Sequence, residues 1–243
     1  MTNLHDTIGL NYAELRRPDM RIAAPIHAAL GKASTVLNVG AGAGSYEPTD
    51  RTVIALEPSS AMIAQRPASG APVVQGVVEN LPFADGAFDA VMGVLTVHHW
   101  TDKAKGMSEM RRVSRGPIVI LTYDPAFHDF WLLDYFPELA TIDAGVMPKL
   151  DHYAEWLGPV SVTPVLVPHD CTDGFGAAYW RRPAAYLDAR VRAAMSSFWK
   201  IGDVSPGVER LRCDLESGQW DQKYGYLRQL EGRDCGYRLV VAP

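Results

Sequence analysis

The sequence predicts an α/β fold built on a mostly parallel, seven-stranded sheet, with helices on both faces and a helical insertion before the last strand. Three observations carry this. Apolar runs recur through the first half of the chain, and most are near-continuous rather than alternating, the pattern of strands covered on both faces. The first run ends in the glycine-rich turn Gly40-Ala41-Gly42-Ala43-Gly44, and the second ends in an acid, Glu57. After Asp124 strand-like runs become rare, and helical periodicities dominate until a final apolar run.

The strand-like runs cover residues 35–40, 52–57, 72–76, 88–94, 118–124, 160–167 and 236–242. Helical candidates lie between them. Ile22, Ile26 and Leu30 recur at four-residue spacing ahead of the first strand. Residues 60–66 follow the second strand, with Pro58 near their start. Residues 101–113 follow the fourth, with Thr101 and Asp102 as cap candidates. Residues 130–139 read as a helix. Leu187, Val191, Met195 and Phe198 make one apolar face, and Val208, Leu211 and Leu215 make another. The span from about 171 to 233 is therefore a helical insertion in one domain, 1–243, whose core is about 10–170 and 234–243.

At 243 residues the chain is long enough for one large core, and 47% apolar with 21% charged residues is ordinary for a globular protein. A net charge of −5 argues against a nucleic-acid binder, which carries a basic stripe. The N-terminus lacks a basic segment followed by an apolar core, and no apolar run approaches a membrane span, so the expected location is cytoplasmic. Cys171, Cys213 and Cys235 are widely spaced and form no C-x-x-C, which points to neither a disulfide framework nor a zinc knuckle. Asp124, His128 and Asp129 are close in sequence but form no metal-ligand pattern.

Glycines in the G-x-G-x-G turn permit positive φ and let backbone N–H groups approach a ligand. The dinucleotide fingerprint places its third glycine one residue later, so the turn alone does not choose a cofactor. Glu57, closing the second strand, is placed to accept hydrogen bonds from a ribose diol, a device common to several cofactors. The crossover between the first two strands is short. Parallel strands usually need a dozen or more connecting residues, so residues 45–50 can form at most about one helical turn.

The choice comes from VVENLPFADGAFDAVMGVLTVHHWTD, residues 77–102. Leu81-Pro82-Phe83, Phe88-Asp89 and His98-His99 match, in order and spacing, a pattern of the class I S-adenosylmethionine-dependent methyltransferases, type 11-like and acting on small molecules. The chain resembles that family over roughly residues 10–125. The resemblance implies a Rossmann-like sheet, S-adenosyl-L-methionine as cofactor, and an antiparallel last strand. It implies that Gly40, Gly42 and Gly44 line the methionine and ribose part of the cofactor. Glu57, next to Pro58, would take the ribose diol; Val78 and Glu79 would border the adenine; Val94 and Leu95 would flank the methionine end. Tyr12 and Arg16 resemble an N-terminal Tyr…Arg-Pro element that folds over the cofactor, with Arg16 or Arg17 on its carboxylate. Two residues depart from the family pattern. Asn38 stands where the family often has an acid, and Val77 where it often has Asp.

Methyl transfer needs an aligned nucleophile and, for a hydroxyl acceptor, removal of a proton. His98 or His99 lies just past a strand carboxyl end, and Asp124 ends the next strand, so a His/Asp pair is the expected base. The segment CTDGFGAAYWRRPAAYLDA resembles the lid of trans-aconitate-methyltransferase-like enzymes. That resemblance places Tyr179, Trp180, Arg181 and Arg182 partly at an acceptor pocket, with Tyr123, His128 and His169 as further substrate candidates. The expected partner is a small-molecule acceptor, with no nucleic acid and no membrane, for a monomer or homodimer. The alternatives are a cofactor-binding protein of this fold that is regulatory or non-methylating, and a nicotinamide-dependent oxidoreductase.

Overall fold

Seven strands form one sheet in the order β3-β2-β1-β4-β5-β7-β6 in a computed structural model that describes residues 15–243. They are β1 (Thr35–Val39), β2 (Thr52–Glu57), β3 (Val73–Gln75), β4 (Ala90–Val94), β5 (Ile118–Tyr123), β6 (Ser161–Pro168) and β7 (Gly232–Ala242). Strands β1 to β5 pair in parallel. β7 runs antiparallel to both β5 and β6, the expected closing strand. It is longer than the sequence indicated, because polar Gly232–Asp234 pair with Leu166–Pro168 beyond a register shift in β6.

The continuous apolar strands are explained by two cores. Val36, Met92, Val119 and Leu121 face one, and Leu37, Val91, Ile118 and Ile120 face the other, so neighbouring residues point to opposite covered faces. On the first face lies α1 (Met20–Ala29), capped by Asp19, whose side chain accepts the Arg21 N–H. The same core takes in most of the later helical segment, including Trp180, Tyr186 and Trp220. The second face is covered by α3 (Lys103–Val113) and α5 (Leu150–Leu157). Met107 and Met110 of α3 are fully buried there, each contributing about 1.5–3 kcal/mol.

Local sequence sets the element ends. Ser59 caps the short α2 (Ser60–Ala64), and Asp102 caps α3. The expected helix over 130–139 is instead a 3₁₀ turn, Trp131–Asp134, followed by α4 (Glu138–Val146). Pro137 separates them, since it donates no backbone N–H and suits only the start of a helix. The apolar face from Leu187 to Phe198 is likewise broken into a 3₁₀ turn, α6 (Ala189–Ala193) and a second 3₁₀ turn. α7 (Ser205–Ser217) forms as its periodicity indicated, and α8 (Gln219–Tyr224) follows it after Gly218. The helix α5 was not read from the sequence. Among the described residues no helix is long and apolar enough to cross a membrane.

The Leu81-Pro82-Phe83 stretch is held by two charged side chains of α3. Glu109 accepts the Leu81 N–H at 3.0 Å, while Arg112 donates to the Leu81 and Phe83 carbonyls at 3.0 and 2.7 Å. Glu109 and Arg112 pair with each other at 2.7 Å. At Gly106 a Cβ would lie 2.9 Å from both Trp100 and Val78, so glycine lets α3 press against the 3₁₀ turn Val78–Asn80. The motif thus fixes a turn beside the carboxyl ends of the strands.

The Arg112 guanidinium, helped by the Leu81 N–H, holds the Glu109 carboxyl down at about 2 against burial. Its folded pKa is below the unfolded value, so this stabilisation is complete above about pH 4.5 and fades as pH falls toward 2. Glu109→Gln should destabilise the protein by about 1–3 kcal/mol at pH 7 and by clearly less at pH 3, as measured by urea unfolding at both pH values.

Candidate active site

The carboxyl ends of β1, β2 and β4 open onto a cleft of about 720 Å³, a size typical of small-molecule and cofactor sites. The turn after β1 forms its floor. Gly40 has φ +63°, and a Cβ there would stand 1.9 Å from Thr96 Oγ1, so this turn can pass the end of β4 only as glycine. Among the described residues the only side chain near a Cβ at Gly42 would be the tip of Met62, at 3.4 Å, so its backbone lies open to the cleft. Glu57 is 6% exposed. Its Oε2 accepts the Gly42 N–H at 2.8 Å and its Oε1 accepts the Ser59 N–H at 2.9 Å. One carboxylate thus joins the glycine turn to the start of α2.

Residues 40–51 contain turns and no helix, as the short crossover required. A buried polar network sits under the turn instead. Arg66, at the end of α2, places Nη2 2.8 Å from both Glu47 carboxylate oxygens and donates Nη1 to the Gly42 carbonyl at 3.3 Å. Asn38, 1% exposed, donates to Glu47 at 3.1 Å. Asn38 therefore serves the crossover loop, holding that loop's own acid, Glu47, against the end of β1.

A second network ties this floor to distant parts of the chain. Asp173 is fully buried and accepts from Arg16 Nε at 2.5 Å and from the Tyr46 hydroxyl at 2.7 Å. Burial, then the Asp173 charge, pushes the Tyr46 hydroxyl far above its ordinary range, so it stays a donor. Tyr46 sits at φ +64°, an uncommon conformation for a non-glycine residue. Its carbonyl lies 2.9 Å from His27 Nε2.

Beyond the cleft lies a smaller inner cavity of about 100 Å³, enclosed by Phe130, Phe175, Phe198 and Tyr237 and bordered by His98 and Asp143. Arg16, Leu95 and His99 border both spaces. Leu95 has φ +51°, a conformation costing about 1–3 kcal/mol, held by its N–H to the Leu121 carbonyl at 2.8 Å. The His98 and His99 rings stand 3.9 Å apart between centroids.

Residues 37–119 match the model of a methyltransferase domain. A protein from Anabaena variabilis, solved as a putative methyltransferase from an antibiotic biosynthesis pathway, is 38% identical, with a TM-score of 0.88 over 95% of this chain and all of that one. The chain belongs to the class I S-adenosylmethionine-dependent methyltransferases. Rice 2-methyl-6-phytyl-1,4-hydroquinone methyltransferase 2 is 27% identical over 50% of this chain and 36% of its own length. The demethylmenaquinone methyltransferase of Mycolicibacterium vanbaalenii is 36% identical over 34% of this chain and 35% of its own. The chain thus spans well under half the length of these two relatives.

The methyltransferase cofactor is S-adenosylmethionine, and the cleft fits it. The backbone at Gly42 is open to the cleft, and the Glu57 carboxylate closes one end of it. Pro58, Val77, Val78, Glu79, Val94 and Leu95 also border the cleft. Val77 is 49% exposed at its rim. Gly44 does not border it, because a side chain there would meet Arg66 and Glu47 under the turn. Tyr12 lies outside the described residues.

The expected His/Asp pair requires correction. Asp124 Oδ1 accepts the Ala126 N–H of its own turn at 3.0 Å, and Asp124 borders neither the cleft nor the cavity that the histidines line. Most of the expected acceptor residues are also placed elsewhere. Only Tyr123 borders the inner cavity. His128 is exposed. His169 lies between Asp170 and Glu231, at 3.3 and 3.8 Å. Trp180 is fully buried and donates to the Val167 carbonyl at 3.0 Å. Arg181 donates to the Leu230 carbonyl at 3.0 Å, and Arg182 to those of Cys171 and Ala178 at 2.7 and 2.9 Å. Tyr179 packs under the Arg182 guanidinium, 4.6 Å from its ring centroid. These side chains brace the segment's own backbone. Asp143, Ser197, Phe175 and Tyr237 supply the cavity instead; an acid in the middle of the otherwise mostly apolar run Leu139–Val146 of α4 was the one sequence signal for them.

Arg66→Met should destabilise the fold by about 3–5 kcal/mol, because Glu47 would be left buried without its cation; chemical unfolding of the two proteins at neutral pH measures the difference.

Proposed function

We propose that the protein transfers the methyl group of S-adenosylmethionine to an oxygen or nitrogen atom of a small molecule held in the inner cavity. The observation that carries this reading is the shared border. Arg16, Leu95 and His99 line both the cleft and the cavity, so a donor in one and an acceptor in the other face each other across Leu95. The full-length likeness to the Anabaena protein, described as belonging to an antibiotic biosynthesis pathway, supports a biosynthetic small molecule as acceptor. The charge of −5 weighs against RNA.

When bound, the cofactor supplies an electrophilic methyl group on a sulfonium centre. The chain's residues do the rest. Gly40 and Gly42 let the backbone pass close to the ligand. The Glu57 carboxylate, fixed by the Gly42 and Ser59 N–H groups, accepts from the ribose hydroxyls. The backbone at Val78 and Glu79 borders the adenine, and Arg16 stands at the methionine end. His99, which borders both spaces, takes the acceptor's proton on a ring nitrogen, and the neighbouring His98 ring fixes its position. The cavity wall aligns the nucleophile, and the water that the acceptor displaces leaves these interactions less screened. Residues 171–233 act as the lid of a single methyltransferase domain, with Phe175 and Phe198 as its contribution to the acceptor wall.

Incubation with methyl-labelled cofactor and a fractionated metabolite extract should transfer label to a small molecule. On that acceptor, His99→Ala should lower kcat by about 10²–10⁴-fold, and His98→Ala by less; full turnover in both variants removes the base assignment. Calorimetry with S-adenosylhomocysteine should show affinity reduced at least tenfold, about 1.4 kcal/mol, in Glu57→Ala. NADH should give no thermal shift where S-adenosylhomocysteine raises the melting temperature.

A further inference from the structure

We propose that Asp143, braced by Ser197, anchors an ammonium group of the acceptor, so that the acceptor is an aromatic or apolar amine carrying a second, separate nucleophile. This rests on the reading of the inner cavity as the acceptor site. Asp143 projects from α4 into that cavity on a side that does not border the cleft. Its Oδ1 accepts from the Ser197 hydroxyl at 2.9 Å, which fixes the carboxyl. Among the described residues Oδ2 has no hydrogen-bond partner and Asp143 enters no ion pair.

The surroundings do not compensate a carboxylate. Burial raises the Asp143 pKa, more than the Ser197 hydrogen bond and the Lys200 charge lower it. Tyr123 donates its hydroxyl proton to the Phe127 carbonyl at 3.2 Å. The Tyr237 hydroxyl lies 3.4 Å from the Ala177 N–H, which donates to it. Arg16 is committed to Asp173. Among the described residues the acid thus keeps one oxygen outside any hydrogen bond and enters no ion pair with Arg16, His98 or His99 of the same wall, a costly arrangement unless a ligand completes it.

Aromatic rings line the same cavity as that acid. Tyr123 and Tyr237 stand 5.5 Å apart between centroids, and Phe175 and Tyr237 4.6 Å, all at the cavity wall. A carboxylate within a wall of aromatic rings is the chemistry that selects an organic ammonium, through ion pairing and the attraction of a cation to ring faces. A protonated amine has no lone pair, so the nitrogen held by Asp143 is not the atom methylated. The reacting atom must be another group on the same molecule, lying on the His99 side.

The test uses three probes that share a phenol ring and differ in one group: tyramine, 4-(2-hydroxyethyl)phenol and 4-ethylphenol. Binding of each to the full chain is measured by calorimetry with S-adenosylhomocysteine at saturation. The expected result is that tyramine binds at least tenfold tighter than either neutral probe. Asp143→Asn, nearly the same shape, should abolish that preference while its melting temperature and S-adenosylhomocysteine affinity stay close to those of the parent. Ser197→Ala should weaken tyramine by a smaller factor. Equal binding of amine and alcohol, a preference that survives Asp143→Asn, or binding of none of the three overturns the anchor while the methyltransferase reading stands. Failure of S-adenosylhomocysteine itself to bind overturns both.

Discussion

Between Val39 and Thr52 the chain must pass from one parallel strand to the next with almost no length to spare. That constraint governs the cofactor cleft. A longer crossover would carry a helix, whose first turn presents backbone N–H groups and a partial positive charge to a ligand. Here the glycine turn stands without that support. Its position comes from Arg66 and Glu47 below, Glu57 beside it and Thr96 across from it. Charged pairs buried under a loop add little net stability over well-packed apolar residues, but they fix geometry, and here they substitute for a missing element of secondary structure.

The same economy recurs where the two spaces meet. Leu95 holds an unfavourable backbone conformation at the end of β4, and the cost is met by the strand pairing behind it. That bend brings His98 and His99 under the cavity and turns Thr96 toward Gly40 and Trp100. Strain, the glycine turn and the histidine pair are therefore one local arrangement rather than three separate features. The cleft is assembled from strand ends, while the inner cavity draws most of its wall from segments after β5.

This division explains what the sequence made legible. The strand ends announce themselves, because Gly40, Glu57, Pro58 and Leu81-Pro82-Phe83 occupy places fixed by topology and by backbone chemistry. Continuous apolar strands follow from burial on both faces, whereas the antiparallel closing strand was expected only from the family resemblance. The cavity wall was not legible, because side chains such as Trp180, Arg181 and Arg182 carry the residue types of a binding site while bonding to their own backbone. Asp143 was overlooked for the opposite reason: a lone acid at a half-buried helical position looks like a solvated one until Ser197, far away in sequence, is seen against it. Glu47 and Arg66 were hidden in the same way, since an ion pair between a crossover and the end of the next short helix leaves no periodic trace.

Asp173 joins residues that are far apart along the chain: Arg16 ahead of the first strand, Tyr46 in the crossover, and its own segment after β6. Each depends on the one carboxylate, which is fully buried and intolerant of a mismatched neighbour. The practical consequence concerns recombination among relatives. The segment after β6 cannot be exchanged alone, because a replacement with another residue at this position would strand the Arg16 guanidinium and the Tyr46 hydroxyl. A viable chimera has to carry Arg16, the crossover and the segment around Asp173 as a single inherited unit.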